Sequence, residues 1–219
     1  HPEFRQVMRD GTPVEKASYA FPEVRAFMLS VIREATRRFD VDGINLCFVR
    51  GPHFVVYEQP VLDDFRREYG ADARAVDPLD ARLGAIRARY MTEFVRAARQ
   101  LLDEIGHEKG KYLELSIWAW PSGQNVWCGK TPMEEGIDIH AWIEEGLLDS
   151  FLCQEGVNPE DLACCKQHGC QFILFPGYRE PKPTTPKTIA EGYRKGVDGI
   201  AIWDIDPDDP ERWEWMRRI

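Results

Sequence analysis

The chain has 219 residues, 43% of them hydrophobic and 30% charged, with a formal net charge of -9. That apolar share supports one substantial core and excludes a disordered segment. The acidic balance argues against nucleic-acid or anionic-membrane partners, which would want a surplus of Lys and Arg on one face; no apolar run approaches the roughly 20 residues that span a bilayer.

In chain order, the opening "HPEFRQVMRDG" lacks the basic head and apolar stretch of a signal peptide and reads as internal to something longer. Next, "FPEVRAFMLSVIREATRRF" puts Val24, Phe27, Met28, Val31, Ile32 and Ala35 on one helical stripe behind Pro22, a residue helices accept in their first turn. "GINLCFV" at 43–49 reads as a strand, a short helix is expected around 61–69, and helical stripes occupy roughly 85–105 and 138–146. Further strands are expected at 112–120 ("YLELSIWAW"), 147–153 ("LLDSFLC"), 171–176 ("QFILFP") and 199–203 ("GIAIW"). Before the last of these, "TPKTIAEGYRKG" offers Thr185 as a cap, Pro186 as a first-turn residue and Gly196 as a stop.

Several of these strands are apolar on both faces, as parallel strands buried under helices are. Alternating helices and strands with short links form either an open doubly wound sheet or a barrel, and no Gly-rich phosphate loop follows any strand, which favours the barrel. A complete barrel has eight strands in about 250 residues. The expected fold is therefore α/β: the C-terminal part, about five β/α units, of a (β/α)8 TIM-type barrel. It would form one partial domain over 1–219 with a long loop at 51–84.

In the strand 43–49, Ile44, Leu46 and Phe48 alternate with Asn45, Cys47 and Val49; the apolar set suits the helix layer and the smaller, partly polar set the barrel interior. Arg50 then emerges at the C-terminal face, where barrel enzymes place their chemistry. The long loop makes His53, Tyr57, Glu58 and Asp64 candidates for lining a cleft. Trp118, Trp120 and Trp203 fall at strand ends, where aromatic faces can stack on sugar rings, although core packing accounts for any single tryptophan equally well. Tyr178 and Arg179 are candidates for the opposite wall.

The six cysteines, Cys47, Cys128, Cys153, Cys164, Cys165 and Cys170, read mainly as free thiols, and "CCKQHGC" matches no paired zinc-knuckle spacing. The series Asp204, Asp206, Asp208 imitates a calcium loop, but Asp209 stands where that loop needs glycine and Trp215 where it needs glutamate. His1, His53, His107, His140 and His168 fall mostly in loops and helices, a poor set for a metal-dependent hydrolase. No metal and no cofactor is expected.

Taken together, "HPEF", "SYAFPEVRAFMLSVIREATRRFDVDGINLCFVRGP", "YEQPVLDDFRREYG", "GIDIHAWIEEGLLDSF" and "GYRKGVDGIAIWDID" cover nearly the whole chain, and in this order the chain resembles the bacterial family-10-like glycosyl hydrolases. The resemblance implies a barrel glycosidase acting on a poly- or oligosaccharide, and a secreted or periplasmic location. Members often carry an acid where this chain has Cys47, in a pattern like "DGIHLDYIR". Glycoside hydrolysis usually needs two carboxyl groups, and the strand-end candidates here are Glu155, Asp204 and Asp206. The thiol at Cys47 motivates a second expectation, a barrel that binds carbohydrate without cleaving it.

Overall fold

The computed structural model describes residues 1–49, 53–123, 131–176, 186–202 and 214. An antiparallel hairpin comes first, β1 (Arg5–Val7) and β2 (Pro13–Ala17). Its turn is organised by Asp10, whose carboxylate accepts the Thr12 N–H at 2.9 Å, and by Gly11 at φ 89°, the chemistry that Asp and Gly bring to tight turns. These strands are too short and too polar for hydrophobic periodicity to announce.

Then follow α1 (Pro22–Arg38), β3 (Gly43–Cys47), α2 (Gln59–Tyr69), α3 (Ala81–Lys109), β4 (Glu114–Ala119), α4 (Ile139–Glu144), β5 (Ser150–Gln154), α5 (Pro159–His168), β6 (Gln171–Phe175), α6 (Pro186–Lys195) and β7 (Gly199–Ile200). Strands β3 to β7 form one five-stranded sheet in sequence order, every neighbouring pair parallel. The five expected strands are all present, within narrower bounds at most ends; residue 203 of the last one lies outside the described residues. The expected helix at 85–105 is longer, because Asp80 caps it by accepting the Arg82 N–H at 2.9 Å and Gly110, at φ 63°, ends it.

Alternation along the strands splits the sheet into two faces. Leu115, Ile117 and Ala119 of β4, Phe151 and Cys153 of β5, and Phe172 and Leu174 of β6 join Ile44, Leu46 and Phe48 in the main core beneath the helices. Asn45, Ser116, Ser150 and Gln171 share one register row on the other face; Cys47, Trp118, Leu152, Ile173 and Gly199 share the next. Here Val49, Trp118 and Phe175 form a small separate cluster with Trp120, Leu152 and Ala201. Ile44, Leu46 and Phe48 thus sit in the helix layer as expected, and Asn45 and Cys47 are exposed on the opposite face.

The N-terminal end of the sheet is fastened by aspartates. Asp149 accepts the Leu115 N–H at 2.7 Å and pairs with Arg99 at 3.1 Å, while Asp198 accepts the Phe172 N–H at 2.9 Å and pairs with Lys166. Each ties the start of one strand to the neighbour before it. The Lys166 ammonium holds the Asp198 carboxyl below the usual carboxylate range.

The stripe expected on α1 is only half used. Val24 and Ile32 are buried, but Phe27 is 65% exposed and Val31 46% exposed, because the helix packs on α3 and β3 along one narrow side. Trimming the two kinds of aromatic should therefore differ. Phe151, fully buried and edge-on to Phe172 at 5.5 Å, should cost about 3–5 kcal/mol as Phe151→Ala. Phe27→Ala should stay within about 0.5 kcal/mol of the parent, both read by urea unfolding.

Candidate functional site

Chemistry in a parallel α/β sheet belongs at the C-terminal strand ends, and the carboxylate found there on β5 is Glu155. Its backbone has φ +55°, in the left-handed region that a non-glycine residue rarely adopts. The N–H still continues the ladder, donating to the Phe175 carbonyl at 2.8 Å, and Gly156 follows at φ 148°. Strand pairing therefore runs up to the residue whose backbone departs from it. Such strain, of order 1 kcal/mol or more, is held by surrounding structure and clusters at functional sites.

Glu155 has a defined neighbour. Gln154, 2% exposed, ends β5 with its side chain on the face opposite the helices. Its Oε1 accepts the Trp118 Nε1–H at 2.8 Å, and its Nε2 donates to Glu155 Oε1 at 3.2 Å. Trp118 is itself wedged edge-on against Phe175 at 5.2 Å. Beside Glu155, the connections that follow β4 and β5 flank an open groove of about 560 Å³ lined by Pro121, Ser122, Gly123 and the segment Gly156–Glu160. Asn158 shapes both walls: its Nδ2 donates to the Ser122 carbonyl at 2.6 Å, and its Oδ1 accepts the Glu160 N–H at 2.8 Å as the cap of α5.

Two further histidine and carboxylate pairs brace this end. Asp161, fully buried, accepts the Ser122 N–H at 2.8 Å and meets His140 Nε2 at 2.7 Å. Glu135, 3% exposed, accepts the His53 N–H at 3.0 Å and lies 2.9 Å from His53 Nδ1, where His53 has φ 82°. Neither Gln154 nor these two acids stands out in the sequence; the one available hint for Asp161 is its place in the first turn of a helix that opens "NPED".

The expected site residues meet different fates, and Asp64, within α2, accepts the Tyr90 O–H at 2.7 Å. Glu155, Trp118 and Trp120 lie together at the C-terminal end, with Trp118 buried and Trp120 half-buried. Asn45 is exposed lower on the same face, donating to Ser116 Oγ at 2.8 Å. His53 is half-buried and held by Glu135. Tyr57 and Glu58 require correction: they do not line a cleft. Tyr57 is 3% exposed beneath the Arg87 guanidinium, 5.2 Å from its ring. Glu58 is fully buried, with its carboxylate accepting the Val56 N–H at 2.8 Å and the Val7 N–H at 3.4 Å. It joins the hairpin to the start of α2, and burial pushes its carboxyl up. Arg50, Tyr178, Arg179, Trp203, Asp204 and Asp206 lie outside the described residues.

The thiols of Cys153, Cys165 and Cys170 are buried packing groups, whereas Cys47 is exposed and Cys128 lies outside the described residues. Cys47, Cys153, Cys164, Cys165 and Cys170 are free; the Cys170 N–H closes α5 on the Cys165 carbonyl at 3.0 Å. The neighbouring Cys170 thiol, then burial, hold Cys165 well above the ordinary thiol range, and burial does the same for Cys153.

No protein-family model and no curated protein matches the chain. Among solved structures it is similar to a glycoside hydrolase family 18 N-acetylglucosaminidase from Paenibacillus barengoltzii, at 16% identity and a TM-score of 0.40 over 72% of this chain and 45% of that one. It is also similar to an inactive variant of a family 20 exo-β-N-acetylglucosaminidase from Vibrio harveyi, at 14% identity and a TM-score of 0.46 over 98% of this chain and 32% of that one. The chain thus spans less than half of either glycosidase.

The contrast between the two glutamates is measurable. Glu58→Ala leaves buried backbone N–H groups without acceptors and should cost about 2 kcal/mol. Glu155→Gly relieves the left-handed backbone and should stabilise by about 0.5–1 kcal/mol. Thermal unfolding of both variants checks the signs.

Proposed function

We propose that this chain is part of a (β/α)8 barrel that hydrolyses glycosidic bonds in a poly- or oligosaccharide, with Glu155 as one of its two carboxyl groups. The observation that carries the reading is Glu155 itself: a half-buried carboxylate at a parallel strand's C-terminal end, on a left-handed backbone, beside an open groove. Glu58 and Asp161, which are structural, are spent on backbone N–H groups instead. Trp120, half-buried beside Trp118, offers an aromatic face of the kind that stacks on a sugar ring. Asp204 and Asp206 are the proposed source of the second carboxyl group. The barrel reading is supported by the strand order, in which β3 to β7 follow one another in sequence, all parallel, without the reversal that marks a doubly wound sheet.

The second reading, a barrel that binds carbohydrate without cleaving it, is favoured by Cys47. It is exposed on that same face, where the resembled family often has an acid. Reducing-sugar release from a panel of plant, algal and bacterial polysaccharides separates the two readings. Hydrolysis should fall at least about 100-fold in Glu155→Gln. Binding on an affinity gel with no release from any substrate would leave the binding barrel.

A further inference from the structure

The contacts around Glu155 assign it a chemical role, an inference that rests on Glu155 being the site carboxylate. An indole N–H only donates. Because Trp118 Nε1 lies 2.8 Å from the Gln154 amide, the end of the amide that faces it must be the oxygen. The amide nitrogen is thereby turned the other way, 3.2 Å from Glu155 Oε1, and an NH₂ group can only donate. Gln154 cannot reverse this arrangement without setting two donors against each other, because the amide is 2% exposed and Trp118 is 6% exposed.

We propose that Trp118, Gln154 and Glu155 form one oriented relay in which Gln154 is a positioning residue presenting a fixed donor to Glu155, so that Glu155 serves as the ionised partner of the reaction. The carbonyl oxygen of a neutral acid would also accept this contact, but a carboxylate oxygen accepts it more strongly, so the fixed donor favours the ionised form. Glu155 is then the group that attacks the sugar carbon or activates water, and the acid that protonates the leaving oxygen comes from elsewhere in the chain. The left-handed backbone fits the same role. It keeps Glu155 next to the amide that ends its own strand while opening the chain into the groove.

The test needs no substrate. In ¹⁵N-labelled protein the Trp118 indole N–H resonance, identified by its loss in Trp118→Phe, should move with a single step as pH is lowered from 8 to 3. That step should vanish in Glu155→Gln and in Gln154→Leu. A Trp118 resonance that does not titrate, or that titrates unchanged in Glu155→Gln, would overturn the relay. Since Gln154→Leu strands a buried indole donor, the double variant Trp118→Phe with Gln154→Leu removes both partners and should recover stability. Where the polysaccharide panel yields a substrate, that refolded double variant should still lose about 10-fold or more in kcat with KM little changed. Recovery of kcat together with stability would show Gln154 to be merely structural. A titrating relay with no hydrolysis on any substrate would uphold the contact while removing the role.

Discussion

A parallel strand must be covered, and the rest of this molecule follows from how that requirement is met. Every second residue of β3 to β6 goes under the helices, where Phe151, Phe172, Ile117 and Leu115 are fully buried. Long α3 supplies much of the cover, and Trp142 of α4 is locked to it by donating its indole N–H to Thr92 at 2.8 Å. A parallel sheet also directs all its strand starts to one end and all its strand exits to the other. The starts are tied by Asp149 and Asp198, which join neighbouring strands through backbone N–H groups. The exits are left to loops, which are free to carry chemistry because the sheet does not depend on them.

Those loops are ordered by buried acids. Leaving an ionised carboxylate in a dry interior costs several kcal/mol unless donors surround it, and Glu58, Glu135 and Asp161 each meet that demand with backbone N–H groups, the last two with a histidine as well. Glu155 is built differently. It is half-buried, its side chain receives a side-chain amide, and its backbone is strained. The first pattern holds a loop in place; the second sets a carboxyl group beside a groove while the surrounding strand pairing bears the conformational cost.

What the sequence discloses follows from the range of the interactions involved. The strands are legible because a stretch apolar on both faces has few alternatives to a covered parallel strand, and Glu155 is legible as an acid just past such a stretch. Tyr57 and Glu58 are misread because loop burial depends on what packs above them, here the hairpin and Arg87, neither of which leaves a local periodic mark. Half of the α1 stripe is misread for a related reason: periodicity reports that a face is apolar, not how wide the neighbouring helix is. Gln154 is illegible because its meaning rests on Trp118, 36 residues earlier on the adjacent strand.

The register also relates the thiol at Cys47 to Glu155. Cys47 shares a register row with Leu152, two strands away, and Glu155 lies three residues beyond Leu152. With strands about 4.8 Å apart and a rise of about 3.3 Å per residue, positions 47 and 155 are separated by roughly 14 Å along the sheet. A pair of carboxyl groups that retains configuration sits about 5–5.5 Å apart, and one that inverts it about 6.5–9.5 Å. Those spacings are between carboxyl groups, so side chains reaching from the two backbone positions would have to close the difference. The thiol shares its row with Trp118, whose indole holds the Gln154 amide beside Glu155, and stands one row above Asn45 and Ser116, which are hydrogen-bonded to each other.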